Sequence, residues 1–320
     1  MPRCTIIVRC YNEEEHIGRL LAGIMAQTID DVDIVVVDSG STDATVAIAS
    51  RYPIKLVQIS SEEFSFGRSL NLGCKAASGE ILVMASAHVY PLYNDWLARL
   101  LAPFDDPGVG ISYGKQRGAE RTKYSEHKVF SKWFPDESSA NQQHPFCNNA
   151  NCAVRYSLWK ELSYDESLTG LEDMEFAKRA MGRGARVSYA ADAEVVHVHD
   201  ETLRHICNRY RREAIAHRAI FPRQRFGLLD FARLFVRNTV SDCYHAGHDG
   251  VLLGNTWSIL SFRLMQFWGT YRGFAREEPV TYQLKQKFYY PNALRKPRRA
   301  VEVEPSRRID YTMITAAKDR

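Results

Sequence analysis

The stretch Asp33-Ile-Val-Val-Val-Asp38-Ser-Gly-Ser-Thr-Asp43 decides how this 320-residue chain is read. Four apolar β-branched residues in a row suit a strand covered on both faces, and the small polar residues after them suit a tight turn that Gly40 relaxes. In an open α/β sheet ligands gather beyond the carboxyl ends of the strands, so Asp38 and its neighbour Ser39 stand where a base or ribose would be held. Asp43, or Thr42 before it, serves equally well as the cap of a following helix. A second acidic element lies far downstream, where Glu172-Asp173 opens a helix-like run that reaches Met181. A carboxylate at a helix start either caps the helix or, within reach of a hydroxyl, takes its proton.

Around these two elements the chain alternates between strand-like and helix-like periods, the pattern of a largely parallel sheet covered by helices. Strands are expected at residues 4–9, 33–38, 55–59, 81–85 and 109–113. The first helix is expected at 14–27, where Ile17, Leu20, Leu21, Ile24 and Met25 recur at helical spacing. Ser65 caps another that runs to Ala77 and stops at Gly79. Residues 114–151 show no clear period but carry Tyr124, His127, Phe130, Trp133, Phe134 and His144, as functional loops often do. Regular structure returns at 153–162, in the helix from Asp173, and in a strand at 186–199 that ends in His197-Val-His199. A basic helix at 201–220 leads into amphipathic helices over 227–275.

Composition bounds the class. With 45% hydrophobic residues the chain can bury the core of one large α/β domain and an appended module. A net charge of +4 is too mild to imply nucleic acid. Its basic excess sits late, at Arg209-Tyr-Arg-Arg212 and Arg295-Lys-Pro-Arg-Arg299, and suits phosphates or an anionic membrane face. Seven cysteines without metal-type spacing read as reduced thiols. No secretory leader and no run of ~20 apolar residues is evident. A cytoplasmic protein, soluble or peripheral at the inner face of the cell membrane, is the expectation.

Several motifs in order carry a family resemblance: Val8-Arg9-Cys10-Tyr11-Asn12-Glu13-Glu14, the Asp38 to Asp43 turn, Asn71-Leu-Gly-Cys-Lys-Ala-Ala-Ser-Gly79, residues 148–155, and Leu171-Glu172-Asp173. The chain resembles the family-2 glycosyltransferases, inverting enzymes of the GT-A fold, over residues 4–220. Tyr113-Gly-Lys-Gln116 and His197-Val-His199 bring it nearest to the bacterial rhamnosyltransferase-like branch of polysaccharide assembly. The resemblance implies a nucleotide-sugar donor, a glycan or lipid-linked glycan acceptor, and transfer during cell-surface polysaccharide synthesis. It makes Asp173 the general base with Glu172 beside it. Donor contacts would come from Tyr11, Asn12, Asp38, Ser39, Asp43, His88 and Arg212. Trp133, Phe134 and Asn149 would meet the acceptor.

One element departs from the family. The fourth strand should end in an Asp-x-Asp pair that binds a divalent cation, yet the sequence is Met84-Ala-Ser86-Ala87-His88. His88 and His199 are then the candidate ligands, and imidazole suits Mn²⁺ better than Mg²⁺, so weak metal dependence is expected. The expected domains are a catalytic unit at 1–220, with a nucleotide half at 1–113 and an acceptor half at 114–220, a helical extension at 221–290 and a basic tail at 291–320. The extension could pack on the catalytic unit, form a homodimer seam or touch a membrane. Two rivals differ in class. A nucleotidyltransferase would need a Gly-rich basic loop where residues 9–19 are acidic and aromatic, and a non-catalytic sugar-binding module would have no use for Glu172-Asp173.

Overall fold

The computed structural model describes residues 3–276. An eight-stranded sheet runs in the order β3-β2-β1-β4-β7-β6-β8-β5. Its strands are β1 (Cys4–Cys10), β2 (Val32–Asp38), β3 (Lys55–Gln58), β4 (Ile81–Ser86), β5 (Val89–Pro91), β6 (Val109–Gly118), β7 (Asn151–Arg155) and β8 (Arg186–His197). Strands β1 to β4 are mutually parallel, and β6 is parallel to β8. β7 runs against β4 and β6, and β5 against β8.

The apolar runs explain the layers. Side chains alternate along a strand. Ile6 and Val8 of β1, Ile34 and Val36 of β2, and Val83 and Ala85 of β4 enter one core with Leu20, Leu21 and Ile24 of α1 (Ile17–Met25), Ala49 of the short α2 (Thr45–Ala49) and Trp96 of α4 (Trp96–Leu101). Ile7, Val35, Val37 and Met84 enter the opposite core with Leu70 and Cys74 of α3 (Phe66–Ala76), Trp159 of α6 (Tyr156–Leu162) and Phe176 of α7 (Glu172–Gly182). Ser65 caps α3 by accepting from the Arg68 amide at 3.1 Å. Gly40 takes a φ of +86°, as the turn after β2 requires.

Residues 114–151 differ from the aperiodic loop expected from the sequence. β6 continues to Gly118, and α5 (Tyr124–Trp133) follows. Its pattern is hidden because α5 packs against sheet and helices at once and buries Glu126 along with Phe130. Three further helices complete the described chain: α8 (Leu203–Ile220), α9 (Leu228–His248) and α10 (Leu252–Phe274). α10 lies along α8, where a side chain at Gly269 or Gly273 would strike the α8 backbone. α10 also runs back along α9, with Trp268 beside Phe231 and Arg263 on Asp242. The end of the expected extension and the basic tail at 291–320 lie outside the described residues.

All seven cysteines are free thiols, and five of them are buried. No described helix is long and apolar enough to cross a membrane.

Candidate active site

The carboxyl ends of β1, β4 and β8, the start of α7 and one face of α8 enclose a cavity of about 350 Å³. The reversed strand β7 delivers Asn148 and Asn149 to the same edge, because its amino end lies where the carboxyl ends of its neighbours lie.

Leu171 is in the left-handed region at φ 56°, ψ 27°, a conformation that is strained for a bulky residue by roughly 1–3 kcal/mol. The bend starts α7 at Glu172 and puts both carboxylates in its first turn, against the cavity. Asp173 Oδ2 accepts from the Asn149 amide at 3.1 Å and Oδ1 from the Met174 amide at 2.8 Å. Burial, and then the charge of Glu172, push its carboxyl up to about 7. Arg9 and the Asn149 side-chain amide both reach Glu172 Oε1 at 3.4 Å. Asp173 is thus poised between proton acceptor and donor near neutral pH.

Three imidazoles face this pair. His88 lies in the β4–β5 turn, and its carbonyl accepts from the Val198 amide at 3.0 Å, which ties that turn to the end of β8. The His88 ring stacks on His197 with centroids 5.0 Å apart, and Nε2 of His197 lies 3.0 Å from Nε2 of His199. One nitrogen from each ring falls within 4.8 Å of the other two, so the three form a candidate metal-ligand cluster. Burial and the neighbouring cationic groups hold His197 well below the usual imidazole range, so it is neutral. Burial alone would raise Glu126, but Arg209 and His199 beside it hold it down to about 2.

Arg212 lies 4.6 Å from the centre of the Phe66 ring and Arg9 lies 5.0 Å from it, so one aromatic face system carries two cations. Arg212 makes no ion pair among the described residues. Arg209 is committed to Glu126 and Glu201, which corrects its reading as a phosphate contact.

The remaining candidates fall elsewhere. Asp38 is buried, and its carboxylate accepts from the amides of Gly40 and Ser41, both at 3.1 Å. Asn12 accepts from the Thr42 amide at 2.8 Å, Asp43 from the amides of Glu14 and Thr45, and the Ser39 amide donates to Cys10. These four residues fasten the β1 and β2 turns together. Tyr11 is half-buried nearby and does not line the cavity. Phe134 is buried against Tyr113 and Phe130, and Trp133 stacks on Phe146, so neither lines the cavity with Asp173. Asn149 does line it, yet its side chain and amide are spent on Glu172 and Asp173. Sequence reasoning missed Arg9 and Glu126 as members of the site. Their partners lie 163 and 73 residues away, so although Arg9 stands within the quoted Val8 to Glu14 stretch, neither pairing has a local signal.

Comparison with known proteins bears on the family and the fold. The description Glycosyl transferase family 2 matches residues 5–163. An O-antigen chain rhamnosyltransferase of Salmonella typhimurium is 28% identical over 228 residues, 67% of this chain and 72% of the relative. One of Salmonella anatum is 28% identical over 231 residues, covering 68% and 73%. Among solved structures, a mannosyltransferase of Pyrobaculum calidifontis in complex with GDP-Man and Mn²⁺ superposes with a TM-score of 0.56 at 21% identity, covering 91% of this chain and 88% of that one. Residues 1–349 of TarS from S. aureus in complex with UDP-GlcNAc give 0.54 at 18% identity, covering 87% and 94%. The chain is a glycosyltransferase with the GT-A fold whose residues 5–163 match the family-2 glycosyltransferases.

Proposed function

We propose that the protein transfers a sugar from a nucleoside-diphosphate donor to a hydroxyl of a glycan or lipid-linked glycan, with inversion, in bacterial cell-surface polysaccharide synthesis. The observation that carries this reading is a buried carboxylate raised to about 7 in a cavity whose other walls bear imidazoles and Arg212, which has no ion-pair partner among the described residues. The acceptor hydroxyl gives its proton to Asp173 as its oxygen bonds to the anomeric carbon. The bond from that carbon to the phosphate oxygen breaks on the opposite face, and its electron pair leaves with the nucleoside diphosphate. Arg212 and the histidine cluster stand where the leaving charge develops. Asn12, Asp38, Ser39 and Asp43 fix the turn along which the nucleoside lies, next to Tyr11.

A panel of nucleotide sugars with glycan acceptors, scored for diphosphate release and for anomeric configuration by NMR, tests the reading. Retention of configuration would overturn it. Arg212→Ala is expected to lower kcat about 10-fold with a smaller effect on folding, since its guanidinium bonds no described carboxylate. An unchanged kcat would remove Arg212 from the leaving-group side.

We further infer that the helical extension rests on an anionic membrane, where a lipid-linked acceptor is found. α10 leaves Leu253, Leu264 and Trp268 exposed along one stripe with Trp257, and α9 leaves Leu229, Val236, Val240 and Tyr244 along another. Leu253 is 96% exposed, Leu229 87% and Trp257 79%, values that water does not favour for side chains of this size. Exposed Arg225, Arg233, Arg237 and Arg272 accompany the stripes. A two-fold dimer through this face would gather the Arg233 and Arg237 of both copies into one seam, whereas anionic headgroups attract them. The full chain should therefore co-sediment with phosphatidylglycerol-rich vesicles at low salt and be released as salt rises, and Trp257→Glu should lower the bound fraction at least ~10-fold. A soluble dimer that ignores vesicles would make the extension a subunit seam instead.

A further inference from the structure

Six carboxylates line the cavity, and five of them are already engaged or solvated. Glu13 meets His88 at 2.8 Å, Glu172 takes Arg9 and Asn149, Asp173 takes two backbone amides, and Glu201 lies 2.7 Å from Arg209. Asp200 is exposed to water. The sixth, Glu213, is half-buried on α8, and its side chain makes no hydrogen bond or ion pair among the described residues. It stands four residues after Arg209, the spacing of a helical ion pair, but Arg209 is turned to Glu126 and Glu201 instead. Burial raises the Glu213 carboxyl against the pull of Arg209 and Arg212; Glu201 adds to the rise and His199 opposes it. The charges that act on Asp173 are those of Glu172 and Arg9, so the two carboxylates face different sets of groups.

An ionised carboxylate accepts hydrogen bonds and gives none, so whatever completes Glu213 must bring donors. A diphosphate brings only acceptors and negative charge, and its place is beside Arg212 and the imidazoles. The group bonded to that diphosphate is the sugar, whose hydroxyls are donors. We propose that Glu213 is a specificity-determining residue for the transferred sugar: its carboxylate accepts hydrogen bonds from the sugar's hydroxyls while the adjacent Arg212 meets the diphosphate. This rests on the sugar-transfer reading and adds the class of donor to it, a sugar whose ring hydroxyls on the α8 side are free rather than blocked by acyl or alkyl groups. A site built to bond a hydroxyl rejects an analogue that lacks it, because the buried acceptor is then left without a partner.

Isothermal titration of the full chain with the panel of nucleotide sugars, GDP-mannose, UDP-N-acetylglucosamine and TDP-rhamnose among them, compares wild type with Glu213→Gln and Glu213→Ala. GDP, UDP and TDP are the sugar-free controls. For the donor that wild type binds, Glu213→Ala is expected to weaken the nucleotide sugar at least ~10-fold, the loss of a hydrogen bond to a charged group, and to leave the matching diphosphate unchanged or tighter. Glu213→Gln keeps one acceptor oxygen and should fall between. Mono-deoxy analogues of the same sugar give a second readout: wild type should bind one of them at least ~10-fold worse than the parent, and Glu213→Ala should bind the two alike. Thermal melts check that both variants fold. Equal affinity of wild type and Glu213→Ala for the nucleotide sugar, or a parallel loss for sugar and sugar-free diphosphate, would overturn the proposal and leave sugar transfer standing. A wild type that binds no nucleotide sugar of the panel would instead remove the reading on which it rests.

Discussion

Replacing Asp173 with Asn is expected to lower turnover at least ~10² while the affinity for the nucleotide-sugar donor stays nearly unchanged. The substitution keeps the shape and one acceptor oxygen for the two amides of Asn149 and Met174, and removes the group that accepts the acceptor's proton. Because burial and Glu172 raise the Asp173 carboxyl to about 7, kcat/KM should fall as pH drops below about 7, where the free enzyme carries the protonated acid. The same shift has a sign for stability. Its folded pKa lies above the unfolded value of about 4, so ionising it opposes folding, and stability declines as pH rises through the window from about 4 to about 7. The Asp173→Asn variant, which has no carboxyl to ionise there, should flatten that decline. Single-turnover kinetics and urea titrations across this range check both halves, and near-normal turnover in the variant would remove Asp173 as the base.

Asp242→Ala is expected to destabilise the protein by about 3–5 kcal/mol. Arg263 is buried between α9 and α10, and its guanidinium bonds both oxygens of Asp242, at 2.7 and 3.0 Å, as well as Gln266 at 2.7 Å. Removal of the carboxylate leaves a cation in the interior with only neutral acceptors, including the Ser125 carbonyl of α5 at 3.4 Å. Pairing Asp242→Leu with Arg263→Met should recover most of the loss, because the pair's desolvation nearly cancels its attraction. Urea midpoints of the single and paired variants measure this, and a loss under ~1 kcal/mol for Asp242→Ala would show that the cation is hydrated. Since α5 carries Glu126, which holds His199, activity should decline with stability in this series.

Much of this was legible in the sequence, for identifiable reasons. β1, β2 and β4 are continuous apolar runs because helices cover both of their faces, and Ser65 marks the start of α3 by its own hydrogen bond. Glu172 and Asp173 stood out because a helix start after an irregular stretch is a local signal. The short strand β5 and helix α5 were not legible: three residues show no period, and a helix packed on several sides buries a glutamate among aromatics. Asp38 shows the limit of arguing from position. The strand end brings it to the ligand edge, but which way the carboxylate turns is settled by the nearest amides, those of Gly40 and Ser41. The third imidazole was within the quoted His197-Val-His199, but only the His88 turn, pinned to Val198, shows that the rings meet.

The ion pair between Arg9 and Glu172 spans 163 residues of chain, and Glu13 meets His88 across 75. The walls of the cavity therefore come from β1 and the turn after it and from elements synthesised much later. Contacts this distant in sequence close late, after the loops between them have lost their freedom. During synthesis the parallel strands β1 to β4 can pair while their ligand edge still lacks the acid and two of the three histidines. A nascent or prematurely ended chain would thus present a folded-looking half without chemistry, and competence arrives only when α7, β8 and α8 dock.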